Sequence, residues 1–345
     1  MKKVLLLSAA VLAMTACSNT DVIEEGALQQ TNAIGFQSMV NKGSRALDAT
    51  SFSKFYVFGS YVMPTSTSHI SIFNGEEVSK SGDIWSYTNP RYWVKDGKYQ
   101  FYAYSNDNSA LASGEGTADF GTTGILNINN YVADANHQKD LIFAKSASYT
   151  GKETGNDKVG FEFSHALARI MVTFKSNFPA GYDLKISNVK VNGLYTTGNY
   201  RSEDGEAAHA WTIANPTTPT TGHVAPAWNG TDVAKAAEGD VAAQDAKTAF
   251  AYVIPNNYGN QKIVSIEFEM NVTHGDVAIL GRNMKVNWAP VWASNHQYNY
   301  NITINGTAAG LEEINFTANI GDWVEGTPTV DNIDLGVDYE ATASE

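Results

Sequence analysis

Cysteine is almost missing from this 345-residue chain, and basic residues are few. The single cysteine, Cys17, rules out an intrachain disulfide and any cysteine-based metal site. Against 36 Asp and Glu stand only 23 Lys and Arg, a formal net charge of -13. Nucleic acid and anionic membrane surfaces need a basic face, so neither is an expected partner. Catalytic signatures are missing as well. The seven histidines, at 69, 137, 165, 209, 223, 274 and 296, show no His-Glu-x-x-His spacing. There is no Gly-x-Ser-x-Gly elbow and no phosphate loop, and Gly114-Glu-Gly116 is a loop feature. His165, at the start of a strand, reads as a hydrogen-bonded structural residue. No catalytic residue, metal ligand or cofactor is assigned, and no enzyme activity is expected.

What the chain does have is aromatic and glycine: 17 Tyr, 15 Phe, 7 Trp and 29 Gly, a composition that leans to sheets. Alternation supports this. Tyr99, Phe101 and Ala103 mark one face of a strand, with Tyr102 and Tyr104 on the other. Ile170, Val172 and Phe174 alternate, as do Ile266, Phe268 and Met270, and then Ile314, Phe316, Ala318 and Ile320. Asn74-Gly75 and Asp96-Gly97 read as hairpin turns, the second joining the strand of Trp93 to that of Tyr99. A break is expected at Gly281-Arg282, and a helical turn near 233–237. About fourteen strands with hardly any helix predict an all-β chain of two sandwiches, about seven strands each, with a boundary near 164–168. The aromatic block at 85–104 serves either as sandwich core or as a stacking surface for sugar rings, and core is the commoner use.

The two ends carry the remaining signals. Lys2 and Lys3 precede an apolar run, residues 4–14, too short to span a bilayer, and Thr15-Ala16-Cys17 follows as a cleavage site. Met14-Thr-Ala-Cys17 resembles a bacterial lipoprotein signal, which makes residues 1–16 the signal peptide and Cys17 the lipidated new N-terminus. Residues 18–31 read as a polar tether. Next comes an extended segment with Ile34, Phe36 and Val40 on one face. The polar stretch 41–44 and the lone basic bond Arg45–Ala46 follow, a place where a protease finds the chain. A strand followed by such a linker can be built into the fold and later released, leaving an open groove. At the other end Ile333, Leu335, Val337 and Tyr339 alternate with Asp334, Gly336 and Asp338 beyond the breaker Thr327-Pro328. Burying four such side chains yields roughly 6–12 kcal/mol, against roughly 10–20 for ordering ten residues of backbone. Main-chain bonds to a preformed groove must therefore supply the rest if this tail fills one. Pairing within its own domain is the plain alternative.

Taken together, these residues resemble the Bacteroidetes fimbrillin (Mfa-like) family, the subunits of type V pili. The resemblance rests on the lipoprotein signal, Ala33-Ile-Gly-Phe36 before Arg45-Ala46, Tyr92-Trp-Val, Phe101-Tyr-Ala-Tyr104 and Asp140-Leu-Ile-Phe-Ala144. It continues through Phe161-Glu-Phe-Ser-His-Ala-Leu-Ala-Arg169, Val253-Ile-Pro255, Tyr298-Asn-Tyr300 and Phe316-Thr-Ala to Asp322-Trp323. It implies two transthyretin-like β-sandwich domains in tandem, here 46–165 and 166–328, after a tether and cleavable strand at 17–45. It implies export as a lipoprotein to the outer membrane and cleavage at Arg45–Ala46 by an Arg-specific protease. The released strand would be Ile34, Phe36 and Val40. The donor, within 329–345, would be Ile333, Leu335, Val337 and Tyr339 of a neighbouring subunit. Partners are then further copies and other pilus subunits, with a host or bacterial surface ligand for adhesion, and the place is the fimbrium at the cell surface. The donor tail favours a shaft subunit. The rival readings are a surface glycan-binding lipoprotein, which needs exposed Trp and Tyr in a row, and an anchor or tip subunit that keeps its lipid.

Overall fold

The structure is a computed structural model that describes residues 32–40, 51–202, 211–213, 222–224, 232–233, 250–258, 263–307, 310–322, 333–334 and 338–343. All regular elements in these residues are strands. The first half gives β1 (Phe36–Val40), β2 (Lys54–Val62), β3 (Ile70–Ser81), β4 (Ile84–Ser86), β5 (Lys98–Asn106), β6 (Thr117–Asp119), β7 (Asn127–Val132), β8 (Leu141–Lys145), β9 (Tyr149–Thr150) and β10 (Val159–His165). The second half begins with β11 (Ala168–Asn177), β12 (Tyr182–Leu194), β13 (Thr197–Arg201), β14 (Trp211–Ile213), β15 (Gly222–Val224), β16 (Asp232–Val233) and β17 (Phe250–Val253). It ends with β18 (Val264–His274), β19 (Val277–Trp288), β20 (His296–Thr307), β21 (Gly310–Asp322), β22 (Ile333–Asp334) and β23 (Asp338–Ala343).

The aromatic strand β5 organises the first half. It pairs antiparallel with β2 and β8 in a sheet ordered β1-β10-β8-β5-β2-β3-β4, with β9 attached to β5. Its two faces divide as the alternation dictates. Tyr99, Phe101 and Ala103 enter one core with Phe36, Phe55, Phe73, Phe161 and Phe163. Tyr102 and Tyr104 enter another with Phe58, Phe143, Ile128, Tyr131 and Tyr200. The second core lies against a four-stranded sheet ordered β14-β13-β7-β6.

The second half places a five-stranded sheet, β17-β11-β20-β21-β22, opposite a six-stranded one, β15-β12-β18-β19-β23 with β16 on β12. Alternate residues of β11 are buried, and they share one core with residues of β12, β18, β19 and β20. Phe174 meets Phe268 across that core at 4.8 Å between ring centroids, and Trp288 meets Tyr300 at 5.1 Å.

Three local expectations are corrected. Asn74-Gly75 is a bulge inside the continuous strand β3: Val57 pairs with Glu76 and Phe58 with Asn74, so Gly75, at φ +82°, is the extra residue. Asp96-Gly97 does turn, with Asp96 at φ +64°, but the Trp93 stretch does not pair with β5, whose neighbours are β2, β8 and β9. β19 runs through Gly281-Arg282 without a break. The first residue of the expected helical turn, Val233, is in the strand β16, and the others lie outside the described residues. The boundary at 165/166 is not a clean partition, because β13 crosses back to pair with β7, carrying β14 on its other edge, and Tyr200 lies in the first half's second core.

Candidate functional site

The first described segment, residues 32–40, lies in a groove and is bonded along both of its edges. On one edge β1 runs parallel to β10, with Phe36 opposite Val159 and Val40 opposite Phe163. The Val159 N–H donates to the Gly35 carbonyl at 2.8 Å. On the other edge the Ile34 N–H donates to Arg91 O at 2.7 Å, and the Trp93 N–H to Asn32 O at 3.1 Å. The Tyr87 hydroxyl donates to Ile34 O at 2.8 Å and accepts from the Arg91 N–H at 3.1 Å. Burial raises the Tyr87 phenol above its ordinary range, against the opposing Arg91 N–H, so it stays protonated and able to donate. Asn156 closes the end of the groove, donating from Nδ2 to Asn32 Oδ1 at 2.9 Å.

The alternation read from the sequence sets what faces inward. Ile34 and Phe36 are 1% and 2% exposed, while Gln37 between the strands' inward positions is exposed. The Phe36 ring is surrounded by five others: Phe73 at 5.3 Å, Tyr87 at 5.5 Å, Phe161 at 6.0 Å, and Phe55 and Phe101 at 6.2 Å. All but the parallel Phe161 present an edge, the arrangement ring quadrupoles favour. This segment is thus both a strand of the sheet and a plug for the first core.

The other residues singled out from the sequence are scattered. Cys17, Arg45, Ala46, Leu335 and Val337 lie outside the described residues. The tail expected as one alternating strand is divided. Ile333 pairs with Ala318 at the edge of the five-stranded sheet, whereas Tyr339 pairs with Val286 at the edge of the six-stranded sheet. His165 is 2% exposed, and its Nδ1 sits 2.7 Å from Asp140 Oδ1, the hydrogen-bonded structural setting expected of it. The rings at 85–104 are mostly turned inward: Trp93, Tyr99, Phe101, Tyr102 and Tyr104 are buried and Trp85 and Tyr87 half-buried, leaving Tyr92 exposed. A depression of about 390 Å³ on the six-stranded sheet is lined by charges of both signs, among them Lys285 and Glu267 at 3.5 Å. Among the described residues no group of three or more His, Cys, Asp or Glu is placed to hold a metal ion. Asn32, Arg91 and Asn156, which help close the groove, gave no sequence signal, and Tyr87 stood out only as one ring of the aromatic block.

Known proteins resemble this chain in sequence and in fold. A 26% identical stretch of 212 residues is shared with the fimbrium subunit Fim1C of Phocaeicola vulgatus, spanning 53% of this chain and 54% of that protein. The match thus spans about half the length of that curated relative. Among solved structures, a protein of Bacteroides ovatus described as a candidate cell adhesion protein superposes with a TM-score of 0.50 at 17% identity, covering 86% of this chain and 99% of that one. One of the same description from Bacteroides uniformis gives 0.47 at 16% identity, over 85% and 98%. The fimbrillin-like family model matches residues 44–323, most of the chain, and the protein belongs to that family, the Mfa-like fimbrillins of the Bacteroidetes.

Proposed function

We propose that this protein is a structural subunit of a surface fimbria that polymerises by strand exchange. It is exported as a lipoprotein on Cys17 to the outer membrane and cut at Arg45–Ala46 by an Arg-specific protease. The cut frees residues 32–40 from their groove, and the C-terminal segment of another copy, within 329–345, takes their place. The two halves act as tandem transthyretin-like sandwiches, and the assembled fimbria serves adhesion at the cell surface. The observation that carries this reading is the position of residues 32–40. They enter the first core and are bonded to β10 on one side and to the loop at 91–93 on the other, yet they end only five residues before Arg45. Supporting it, β22 and β23 are, among the described residues, both outermost strands of their sheets, the cheapest elements of a sheet to detach. Family membership and the fimbrial relative point the same way. The inward-turned rings at 85–104 disfavour the glycan-binding alternative, which needs them on the surface.

The test is digestion of the lipid-free chain with an Arg-specific protease, followed by N-terminal sequencing and an unboiled denaturing gel. The reading expects a new N-terminus at Ala46 and a ladder of oligomers that vanishes when 329–345 are deleted. A cut product that stays monomeric, or a chain that resists cutting at Arg45, sinks it.

A further inference from the structure

We propose that Lys139 and Asn106 become joined by an intramolecular isopeptide bond, formed with Glu115 as the proton carrier. The inference does not depend on the fimbrial reading. It rests on four groups brought together where β5 ends, β7 passes and β8 begins. The Lys139 Nζ lies 2.6 Å from Glu115 Oε1. The other oxygen of the same carboxylate, Oε2, accepts from Asn106 Nδ2 at 2.9 Å and from the Ala112 N–H at 2.9 Å. The carboxamide oxygen of Asn106 in turn accepts from the Tyr131 hydroxyl at 3.1 Å, a hydroxyl that also lies 3.3 Å from the Lys139 carbonyl. Asn106 and Tyr131 are each 1% exposed and Glu115 6%, while the Lys139 side chain, 34% exposed, enters this buried cluster from its solvent side.

A buried carboxylate needs a partner, and Lys139 alone would provide one. What goes beyond pairing is the order of the groups: amine, carboxylate, carboxamide, phenol. An amine and an amide carbon flank one carboxylate, and a hydroxyl donor sits on the oxygen where negative charge would develop. Burial raises the Glu115 carboxyl, but the Lys139 hydrogen bond and the Ala112 N–H outweigh it and hold the group below its ordinary value. It is therefore ionised in the resting site, with an oxygen on Nζ to receive its proton. Burial first, and then the charges of Asp140, Glu115 and Asp107, push the Tyr131 phenol well above its ordinary range, so it remains a donor.

The step balances without an outside reagent. Glu115 takes a proton from Nζ, and the freed lone pair attacks Cγ of Asn106. The Tyr131 hydroxyl stabilises the oxygen of the tetrahedral intermediate. The Cγ–Nδ2 bond then breaks, and both protons shed by Nζ leave on Nδ2, the first by way of Glu115. The lysine ammonium and the carboxamide become a secondary amide and an ammonium ion, with no change in oxidation state. Holding amine and carboxamide on the two oxygens of one carboxylate makes the reaction unimolecular, which is where most of its advantage lies. The product closes a covalent loop carrying β6 and β7 and ties the end of β5 to the start of β8.

Mass spectrometry of the intact chain and of its tryptic digest decides the matter. No Lys or Arg lies between Lys98 and Lys139, and the next after Lys139 is Lys145. The expected result is a chain lighter by one ammonia, with residues 99–145 recovered as one peptide because trypsin does not cut after an acylated Lys139. Glu115→Gln and Lys139→Arg should each restore the full mass, with the circular dichroism spectrum of a folded sheet protein. Lys139→Arg keeps the charge if Glu115→Gln fails to fold. Full mass with normal cutting after Lys139, even after prolonged incubation at raised pH, overturns the proposal. So does an ammonia loss that leaves cutting after Lys139 intact, since that marks a cyclic imide at Asn106-Asp107.

Discussion

The sharpest test of the groove is Phe36→Ala in the uncut chain. Phe36 is 2% exposed and enclosed by the rings of Phe55, Phe73, Phe101 and Phe161, each on a strand, and of Tyr87, tied to Ile34 and Arg91 through its hydroxyl. Truncating a phenylalanine in such a setting costs about 3–5 kcal/mol, the lost transfer energy plus the cavity left behind. Gln37, the next residue, is exposed, and Gln37→Ala should move stability by less than about 0.5 kcal/mol. The chain has more than one core, so a single unfolding midpoint would blur the effect. Hydrogen exchange of the β5 amides, from Phe101 to Ala103, reads the first half alone: these amides are bonded to β2 and β8 and exchange only when that half opens. The Phe36→Ala chain should lose protection there by about two to four orders of magnitude, each 1.4 kcal/mol being tenfold, while β18 amides keep theirs. If Phe36→Ala and Gln37→Ala lower β5 protection equally, the segment is not part of the core and the argument for a plugged groove collapses.

Two further predictions concern the rest of the fold. Gly193 stands at φ +77° with its would-be Cβ directed into the Ile263 carbonyl, so Gly193→Ala should cost about 1–3 kcal/mol by denaturant titration. Gly82→Ala, at φ +59° in open space, should cost only about 1 kcal/mol, and equal losses at the two sites would refute the steric part of the argument. Alkaline titration gives the second. Burial raises the Tyr131, Tyr200 and Tyr300 phenols above their ordinary range, and burial followed by Glu77 pushes Tyr56 up to about 12. A raised folded value means stability is complete below the unfolded value of about 10 and drains as pH climbs toward the folded one. Phenolate absorbance should therefore appear in two stages, the later one together with unfolding. All seventeen tyrosines titrating near 10 in a folded chain would contradict this.

How much of this was legible beforehand depended on the range of the interaction. Tyr99, Phe101 and Ala103 against Tyr102 and Tyr104 is a period of two, and the two faces went to two cores as the pleat requires. The same holds for Ile34 and Phe36, whose inward placement follows from alternation alone. Asn74-Gly75 misled because a glycine at positive φ suits a hairpin turn and a bulge alike. Only the neighbouring strand, β2, decides between them. The return of β13 to β7 joins residues about seventy apart, and Tyr87 and Asn156 reach the segment at 32–34 from 53 and 124 residues away. No local pattern encodes such contacts. The Asn106, Glu115, Tyr131 and Lys139 cluster was invisible for the same reason, since each residue taken singly is an ordinary loop or strand-end residue.

One consequence of the proposed exchange follows from the difference between a tethered strand and a free one. Before cutting, residues 32–40 are joined to the body they plug, so their effective concentration at the groove far exceeds that of any other copy's tail, and an intact chain should stay monomeric. Cutting leaves every contact in place but removes the tether, and the strand becomes an ordinary ligand whose occupancy follows mass action. Added peptide with the sequence of residues 32–40 should then compete with the incoming tail and shorten the oligomer ladder as its concentration rises. The Phe36→Ala peptide, lacking the ring that fills the five-ring site, should compete about a hundredfold or more less well if only 3 of the expected 3–5 kcal/mol reappears in binding. The ladder should be indifferent to a peptide of residues 70–78, taken from a strand whose partner β2 stays paired. If the wild-type peptide leaves the ladder unchanged at concentrations that saturate the cut body, the tail is not entering this groove, and the oligomers are held by some other surface.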